Sequence, residues 1–257
     1  MPLPSIFDKL KLPVLAAPMF LVSEKELVIA ACGAGVGAAY PALNKRSSEA
    51  FEAWLVEVKA ALAAQRQANP DAPQGPYGIN LIVHRSNPRL QADLEICARQ
   101  EVPLVITSLG AAKEVVDAVH SYGGVVFHDV TNLRHAQKAA EAGVDGLILV
   151  AGGAGGHAGT QNPFALLANV RAHFAGTLIL AGSLSSGRDV LAARALGADL
   201  AYMGTRFIAT RESNAQQAYK EMLLAARPED IVHTPAVSGV PANFMRQSLE
   251  QNGFDME

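Results

Sequence analysis

The chain has 257 residues, half of them apolar, with a formal net charge of −3 and a pI near 6.2. Its basic residues are scattered rather than clustered, which argues against nucleic acid or a charged membrane surface as a partner, and no apolar run approaches the roughly 18 residues of a membrane span. The start, Met1-Pro2-Leu3-Pro4, lacks the basic-then-apolar order of a secretory signal, and the two cysteines, Cys32 and Cys97, fall far apart in expected helices, so a cytoplasmic protein with reduced thiols is expected.

The predicted elements alternate from the beginning. The apolar run 12–19 ends at Pro18-Met19 and reads as a strand leading into a loop. Ser23 with Glu26 three residues later predicts a capping box for a helix that runs to Cys32-Gly33. A strand over 36–40 is followed by a loop over 41–46 and a long amphipathic helix over 48–67, which carries Trp54. A Pro/Gly-rich connector over 69–76 leads to a strand over 77–83 and a helix over 87–100.

From there the repeat is nearly bare. Strands are predicted over 103–107, 124–129, 146–150, 177–181 and 200–203, and helices over 111–122, 133–142, 164–174, 187–196 and 214–226. Gly33, Gly143 and Gly197 each sit just past a helix, where a left-handed C′ residue belongs. Short, wholly apolar strands alternating with helices mean a parallel sheet covered on both faces. Eight such units in this length point to an α/β fold of the (β/α)8 TIM-barrel type, one domain over 1–257, with an open doubly wound sheet as the alternative. Residues 231–257 contain no further strand–helix unit. They read as an irregular C-terminal segment with a short helical turn, ending on a polar tail that looks truncated.

In such a barrel the chemistry sits at the C-terminal strand ends. The most conspicuous of these is Val150-Ala151-Gly152-Gly153-Ala154-Gly155-Gly156-His157-Ala158-Gly159, where five glycines surround one imidazole. Glycine is used where backbone takes φ > 0 or a ligand comes close, so this loop is read as a site with His157 as its titratable group; a plain flexible connector is the alternative. Gly182-Ser183 and Gly204-Thr205, with Ser186-Gly187 opening the next helix, occupy the two loops that bind phosphate in such barrels. Tight turns with ordinary caps would explain them equally in form. Asn80 lies inside an apolar strand and must find a partner, either neighbouring backbone or a heteroaromatic cofactor. His128 is either a satisfied core histidine or a second group at the mouth. No metal-ligand spacing, hydrolase elbow or carboxylate pair is present.

Taken in order, Leu15-Ala16-Ala17-Pro18-Met19, Gly78-Ile79-Asn80, Ala154-Gly155-Gly156-His157-Ala158-Gly159, Ala181-Gly182-Ser183-Leu184 and Met203-Gly204-Thr205-Arg206-Phe207 resemble the nitronate monooxygenase (2-nitropropane dioxygenase) family over nearly the whole chain. The resemblance implies an FMN-dependent oxidoreductase that converts an alkyl nitronate and O2 to a carbonyl compound and nitrite. It implies that Pro18 and Met19 border the flavin ring, that Asn80 hydrogen-bonds to it, and that Ala151 and Gly156 lie along it. Ser183 and the run Tyr202, Met203, Gly204, Thr205 would hold the phosphate, and Ala17, His128, Gly155 and Gly182 would complete the cofactor surface. His157 matches the family's base, which takes the substrate's α-proton or orients the bound anion; an imidazole with a pKa near 6.5 suits that task.

The sequence departs from the family pattern at Ala151 (often glutamine), Gly153 (often acidic), Ser183 (usually glycine) and His128-Asp129, where some members carry a lysine near the flavin. A further glycine-rich stretch that usually follows is absent from these residues. Transfer of hydride from NAD(P)H to a quinone or an enoyl thioester is the alternative on the same barrel. A flavin-free phosphate-binding isomerase or lyase is the alternative of another class.

Overall fold

The computed structural model describes residues 3–110 and 113–254. Its strands are β1 (Val14–Ala16), β2 (Gly37–Pro41), β3 (Tyr77–Ile82), β4 (Leu104–Ser108), β5 (Val125–Val130), β6 (Gly146–Val150), a two-residue β7 (Gly156–His157), β8 (Thr177–Ala181), β9 (Leu200–Met203), β10 (Ile231–Thr234) and β11 (Ala242–Met245). The helices that follow them in turn are α1 (Lys25–Gly33), α2 (Ser48–Ala68), α3 (Leu90–Arg99), α4 (Lys113–His120), α5 (Leu133–Glu141), α6 (Pro163–Arg171), α7 (Gly187–Ala195), the one-turn α8 (Thr205–Ile208), α9 (Gln217–Ala225) and α10 (Arg246–Gln251). The first two positions of the helix expected over 111–122 lie outside the described residues, as do Met1-Pro2 and the end of the polar tail.

All strand pairings in the main sheet are parallel, and β1-β2-β3-β4-β5-β6-β8-β9 close on themselves when β9 pairs with β1. This is the (β/α)8 barrel, and closure removes the open doubly wound alternative. Alternation along each strand sends one set of side chains inward and the other toward the helices. The inward set is a separate core of Leu15, Ala39, Leu104, Ile106, Phe127, Ile148, Ile179 and Leu200, plugged from below by Phe7, whose ring stacks on Phe127 at 5.8 Å. The outward set joins the helices in a larger layer that includes Val126, Val130, Leu147, Leu149, Trp54 and Leu166. Burying these side chains at about 25 cal/mol per Å2 is the main stabilising term.

The helix ends are set locally. Ser47 accepts from Ala50 N–H, Asn132 from His135 N–H and Asn162 from Phe164 N–H, each satisfying an orphan donor at a first turn. The capping box expected at Ser23 does not form: α1 starts after Glu24, which makes no side-chain cap. Ser23 is buried and its hydroxyl instead accepts from Met19 N–H at 3.0 Å and donates to Ala17 C=O at 3.3 Å, folding the loop after β1 back on itself. That hydroxyl has a tighter use inside the loop than at the helix end.

The segment after Ile231 differs most from expectation. β10 and β11 form an antiparallel hairpin, and β11 pairs in turn with β7, through Ala242 opposite His157 and Asn243 opposite Gly156. The irregular tail is therefore a second, three-stranded sheet laid over one loop of the barrel. Cys32 and Cys97 are free and buried, and burial pushes the Cys32 thiol up to about 12. Among the described residues no helix is long and apolar enough to cross a membrane.

Candidate active site

The loops after β1, β6, β8 and β9 meet at one mouth of the barrel. Ala17 N–H donates to Met203 C=O at 3.0 Å, which joins the ends of β1 and β9. A β-carbon placed on Gly204 would lie 3.4 Å from Met19 Sδ and 3.6 Å from Ala17 Cβ. One on Gly155 would lie 2.9 Å from Thr205 Oγ1, so the glycine-rich loop rests on the start of α8. Gly182, at φ +120°, comes so close to the same loop that a β-carbon would sit 2.8 Å from Gly152 C=O. Of these glycines, Gly182 is required by the close approach of backbone to backbone.

His157 stands at the rim, exposed, on β7. Its Nε2 is 3.2 Å from Ser238 Oγ, in the turn between β10 and β11. Asn243 of β11 donates to Ala154 C=O at 2.6 Å, and its Oδ1 lies 3.0 Å from His233 Nδ1. The C-terminal hairpin thus holds the glycine loop by both ladder and side-chain bonds.

Below the rim, inward-facing polar residues from adjacent strands form a line. Asn80 Nδ2 donates to Ser108 Oγ at 2.8 Å and to Ile106 C=O at 3.2 Å. Ser108 Oγ in turn donates to Asp129 Oδ2 at 2.5 Å. The other carboxyl oxygen, Asp129 Oδ1, is shielded from solvent and has no hydrogen-bond partner, a state that costs about 1–3 kcal/mol and more if charged. Desolvation pushes the Asp129 carboxyl up to about 6, against a smaller lowering by the Ser108 bond. Tyr202 joins the same inner surface, and burial with the nearby Asp129 charge keeps its phenol protonated far above its ordinary value.

Of the residues expected at the site, Ala17, Met19, Gly155, Gly204 and Thr205 come together as described, with Pro18 in the same partly exposed loop. Gly156, at φ +71°, is exposed and open. Asn80 faces the mouth, and its amide N–H2 is already engaged by neighbouring strand and serine. Ala151 is wholly buried in the outer layer and Met203 packs with Val190 and Phe207, so neither side chain faces the mouth.

Three expectations are corrected. His128 has the parity of Val126 and Val130, so it points away from the mouth; its Nδ1 is 2.7 Å from Thr107 Oγ1 and the charge of His135 on α5 reaches it. Burial first, and that charge second, hold the imidazole down to about 4. It is a neutral core histidine. Ser183 takes the left-handed conformation expected of glycine (φ +56°), but its N–H donates to Gly153 C=O at 3.1 Å and is not free for phosphate. The start of α7 is filled as well: Ser185 N–H, Ser186 N–H and Ser186 Oγ–H all donate to Asp189 Oδ2 at 2.8–3.0 Å. A carboxylate already occupies that anion position.

Asp129, Ser108, Ser238 and Asn243 are not among the residues expected from sequence. The inward register of Asp129 is the one signal that was available, since it has the parity of Phe127 in β5. The pairing of His157 with a hairpin some 80 residues later has no local signature.

The unpaired oxygen of Asp129 calls for a hydrogen-bond donor that none of the described residues supplies. A TIM barrel that carries an imidazole at the rim of its mouth and a buried carboxyl on the inward face of β5 is an enzyme-like scaffold of the α/β class. The chain belongs to the nitronate monooxygenase family, whose model matches residues 4–253. A dehydrogenase of Mycobacterium tuberculosis (strain ATCC 25618 / H37Rv) named for (3aS,4S,5R,7aS)-5-hydroxy-7a-methyl-1-oxo-octahydro-1H-indene-4-carboxyl-CoA is 30% identical over 240 residues, 92% of this chain and 64% of its own length. A nitronate monooxygenase of Paraburkholderia phytofirmans (strain DSM 17436 / LMG 22146 / PsJN) is 31% identical over 151 residues, 55% of this chain and 41% of its own. The structure of FabK from Thermotoga maritima superposes with a TM-score of 0.80 at 26% identity, covering 96% of this chain and 77% of that one. The chain spans less than two thirds of the length of these curated relatives.

Proposed function

We propose that the chain is the FMN-binding barrel of an oxidoreductase that converts alkyl nitronates and O2 to carbonyl compounds and nitrite. The observation that carries this reading is the placement of His157 on β7, over a mouth whose loops are joined through Gly155, Thr205, Gly204 and Met19. FMN, when bound, supplies the electron acceptor. Gly204, Thr205 and Gly155 would hold its phosphate end, with Ser183 and Gly182 bracing that loop rather than donating to it. Ala17, Pro18 and Met19 would border the ring, and Asn80, on the inward face of β3, would hydrogen-bond to it. His157 orients the anionic substrate, and Ser238 sets the direction of the ring. The buried thiols Cys32 and Cys97 suit a reducing, cytoplasmic setting.

The test is the absorption spectrum of the purified protein, followed by nitrite release from propyl-2-nitronate. Flavin absorbance with nitrite supports the proposal; a colourless protein with no affinity for FMN overturns it in favour of a flavin-free phosphate-binding barrel. A second reading, an FMN-dependent oxidoreductase of acyl thioesters using a nicotinamide cofactor, is favoured by the breadth of the match to the CoA-ester dehydrogenase, 92% of this chain. Flavin absorbance with NADH consumption and no nitrite would select it.

A further inference from the structure

We propose that Lys220 of α9 is the buried counter-charge of the cofactor's phosphate and sets the preference of this site for a phosphorylated flavin. This rests on the reading of Gly204, Thr205 and Gly155 as the phosphate end of an FMN site.

Lys220 is 9% exposed and is the one buried residue of α9, a place where a helix ordinarily puts an apolar side chain. Its Nζ donates to Thr210 C=O at 2.8 Å and to Ser213 C=O at 2.9 Å. Those bonds engage its hydrogens but leave its charge unanswered. Among the described residues Lys220 forms no ion pair, whereas Asp93, which is also buried, is paired with Arg89 at 3.0 Å. The charged residues on the segment it holds, Arg206, Arg211 and Glu212, are all exposed, as is Glu221 beside it on α9. A lysine is seldom buried without a partner charge, and a desolvated cation gains most from an anion brought into the same low-dielectric surroundings.

The carbonyls that Lys220 holds belong to the segment leaving the site. Ser213 Oγ donates to Ile208 C=O at 2.6 Å and Thr210 Oγ1 to Phe207 C=O at 2.9 Å, so both residues tie back to α8, which begins at Thr205. Asn214 Nδ2 donates to Leu21 C=O at 3.0 Å and its N–H to Val22 C=O at 3.0 Å, in the loop that carries Met19. The ammonium thus stands behind both walls proposed for the flavin. The step from Thr205 to Thr210 places it roughly 10 Å from Thr205, where one charge acting on another through protein changes binding about tenfold. A brace alone would serve the ring and the phosphate alike. A counter-charge serves the phosphate only.

The experiment titrates the flavin-free full chain with FMN and with riboflavin, which differ only in the phosphate, by quenching of flavin fluorescence. The wild type is expected to prefer FMN. Lys220→Gln, which keeps a donor for one carbonyl and removes the charge, is expected to weaken FMN about tenfold and riboflavin less than about twofold. Lys220→Arg is expected to restore most of the FMN affinity. A buried cation is screened less than an exposed one, so part of the wild-type preference for FMN is expected to persist at about 1 M NaCl, an arm that needs no variant. Equal losses for the two flavins in Lys220→Gln would make the lysine a brace and overturn the proposal. A preference that vanishes in high salt, or falls wholly with Arg206→Gln, would assign the charge to the exposed rim and overturn it too. Thermal unfolding with inorganic phosphate, against NaCl of equal ionic strength, separates the proposal from the FMN reading. A wild type that binds neither flavin, yet is stabilised by phosphate only while Lys220 is present, sinks the FMN reading and keeps the counter-charge. No response to flavin or to phosphate overturns both.

Discussion

The hydroxyl of Ser183 fills the space that a β-carbon on Gly153 would need. An ideal Cβ there would lie 2.1 Å from Ser183 Oγ, while the Ser183 N–H donates to Gly153 C=O at 3.1 Å. A side chain at position 153 would have to turn the Ser183 hydroxyl away, so the two positions are coupled through that one group. Gly153→Asp is therefore expected to destabilise the protein by about 2–4 kcal/mol, combining left-handed backbone (φ +83°) with overpacking. Adding Ser183→Gly is expected to recover the overpacking share. Denaturant unfolding of the two single variants and the double variant measures the coupling; strict additivity would refute it.

Removal of the imidazole tests the rim. His157→Ala is expected to keep FMN and to lose turnover by about 10²–10⁴-fold. Ser238→Ala, which leaves the imidazole but frees its Nε2, should lose about tenfold or less in kcat, the cost of roughly one neutral hydrogen bond. Unchanged turnover in the first variant would remove His157 from the chemistry.

Gly204 separates ligand space from folding space. Its β-carbon would make only ordinary contacts with Met19 and Ala17, and its φ of −103° suits any residue. Gly204→Ala is expected to fold normally and, by adding a methyl against Met19 and Ala17 where the proposed cofactor borders the loop, to weaken FMN binding by about tenfold. Fluorescence titration with FMN alongside thermal unfolding checks both halves.

His128 and Asp129 pull stability in opposite directions with pH. Unfolded His128 takes a proton below its ordinary value of 6.5, while the folded site holds it neutral to about pH 4. Its contribution is complete above pH 6.5 and is lost as pH falls toward 4. Asp129 in the folded site keeps its proton up to about pH 6, against an ordinary 3.8, so its contribution is present below 3.8 and lost as pH rises to 6. From pH 4 to 6 the two slopes cancel. Asp129→Asn is expected to expose the histidine alone, giving a fall of about 3 kcal/mol between pH 6.5 and 4, at about 1.4 kcal/mol per pH unit. Urea unfolding across that range in both proteins is the measurement.

The barrel was legible because most of its strands are short apolar runs bounded by glycine or proline. The spans 146–150, 177–181 and 200–203 are met residue for residue. Gly182, read from the sequence as part of a phosphate cradle, is instead a position where the backbone of the loop after β6 comes close. What could not be read was facing. In a strand buried on both sides, His128 and Asp129 are equally apolar in their surroundings, and only the register with β4 and β6 shows that the histidine looks out and the carboxylate in. Nor could competition for amides be read: Ser183 and Ser186 carry the residue types of a phosphate cradle, but Gly153 C=O and the Asp189 carboxylate claim their N–H groups. The hairpin of β10 and β11 escaped because each strand is four residues long and the turn between them carries two prolines.

The ladder between β11 and β7 makes the shape of the active site depend on the order of synthesis. All eight barrel strands are present once Met203 has emerged, so a nascent chain can close its barrel while the loop bearing His157 still has no partner strand. The imidazole acquires its register only when Ala242 and Asn243 arrive. A chain that ended before Ala242 would hold all eight barrel strands and still lack the strand that pairs with β7.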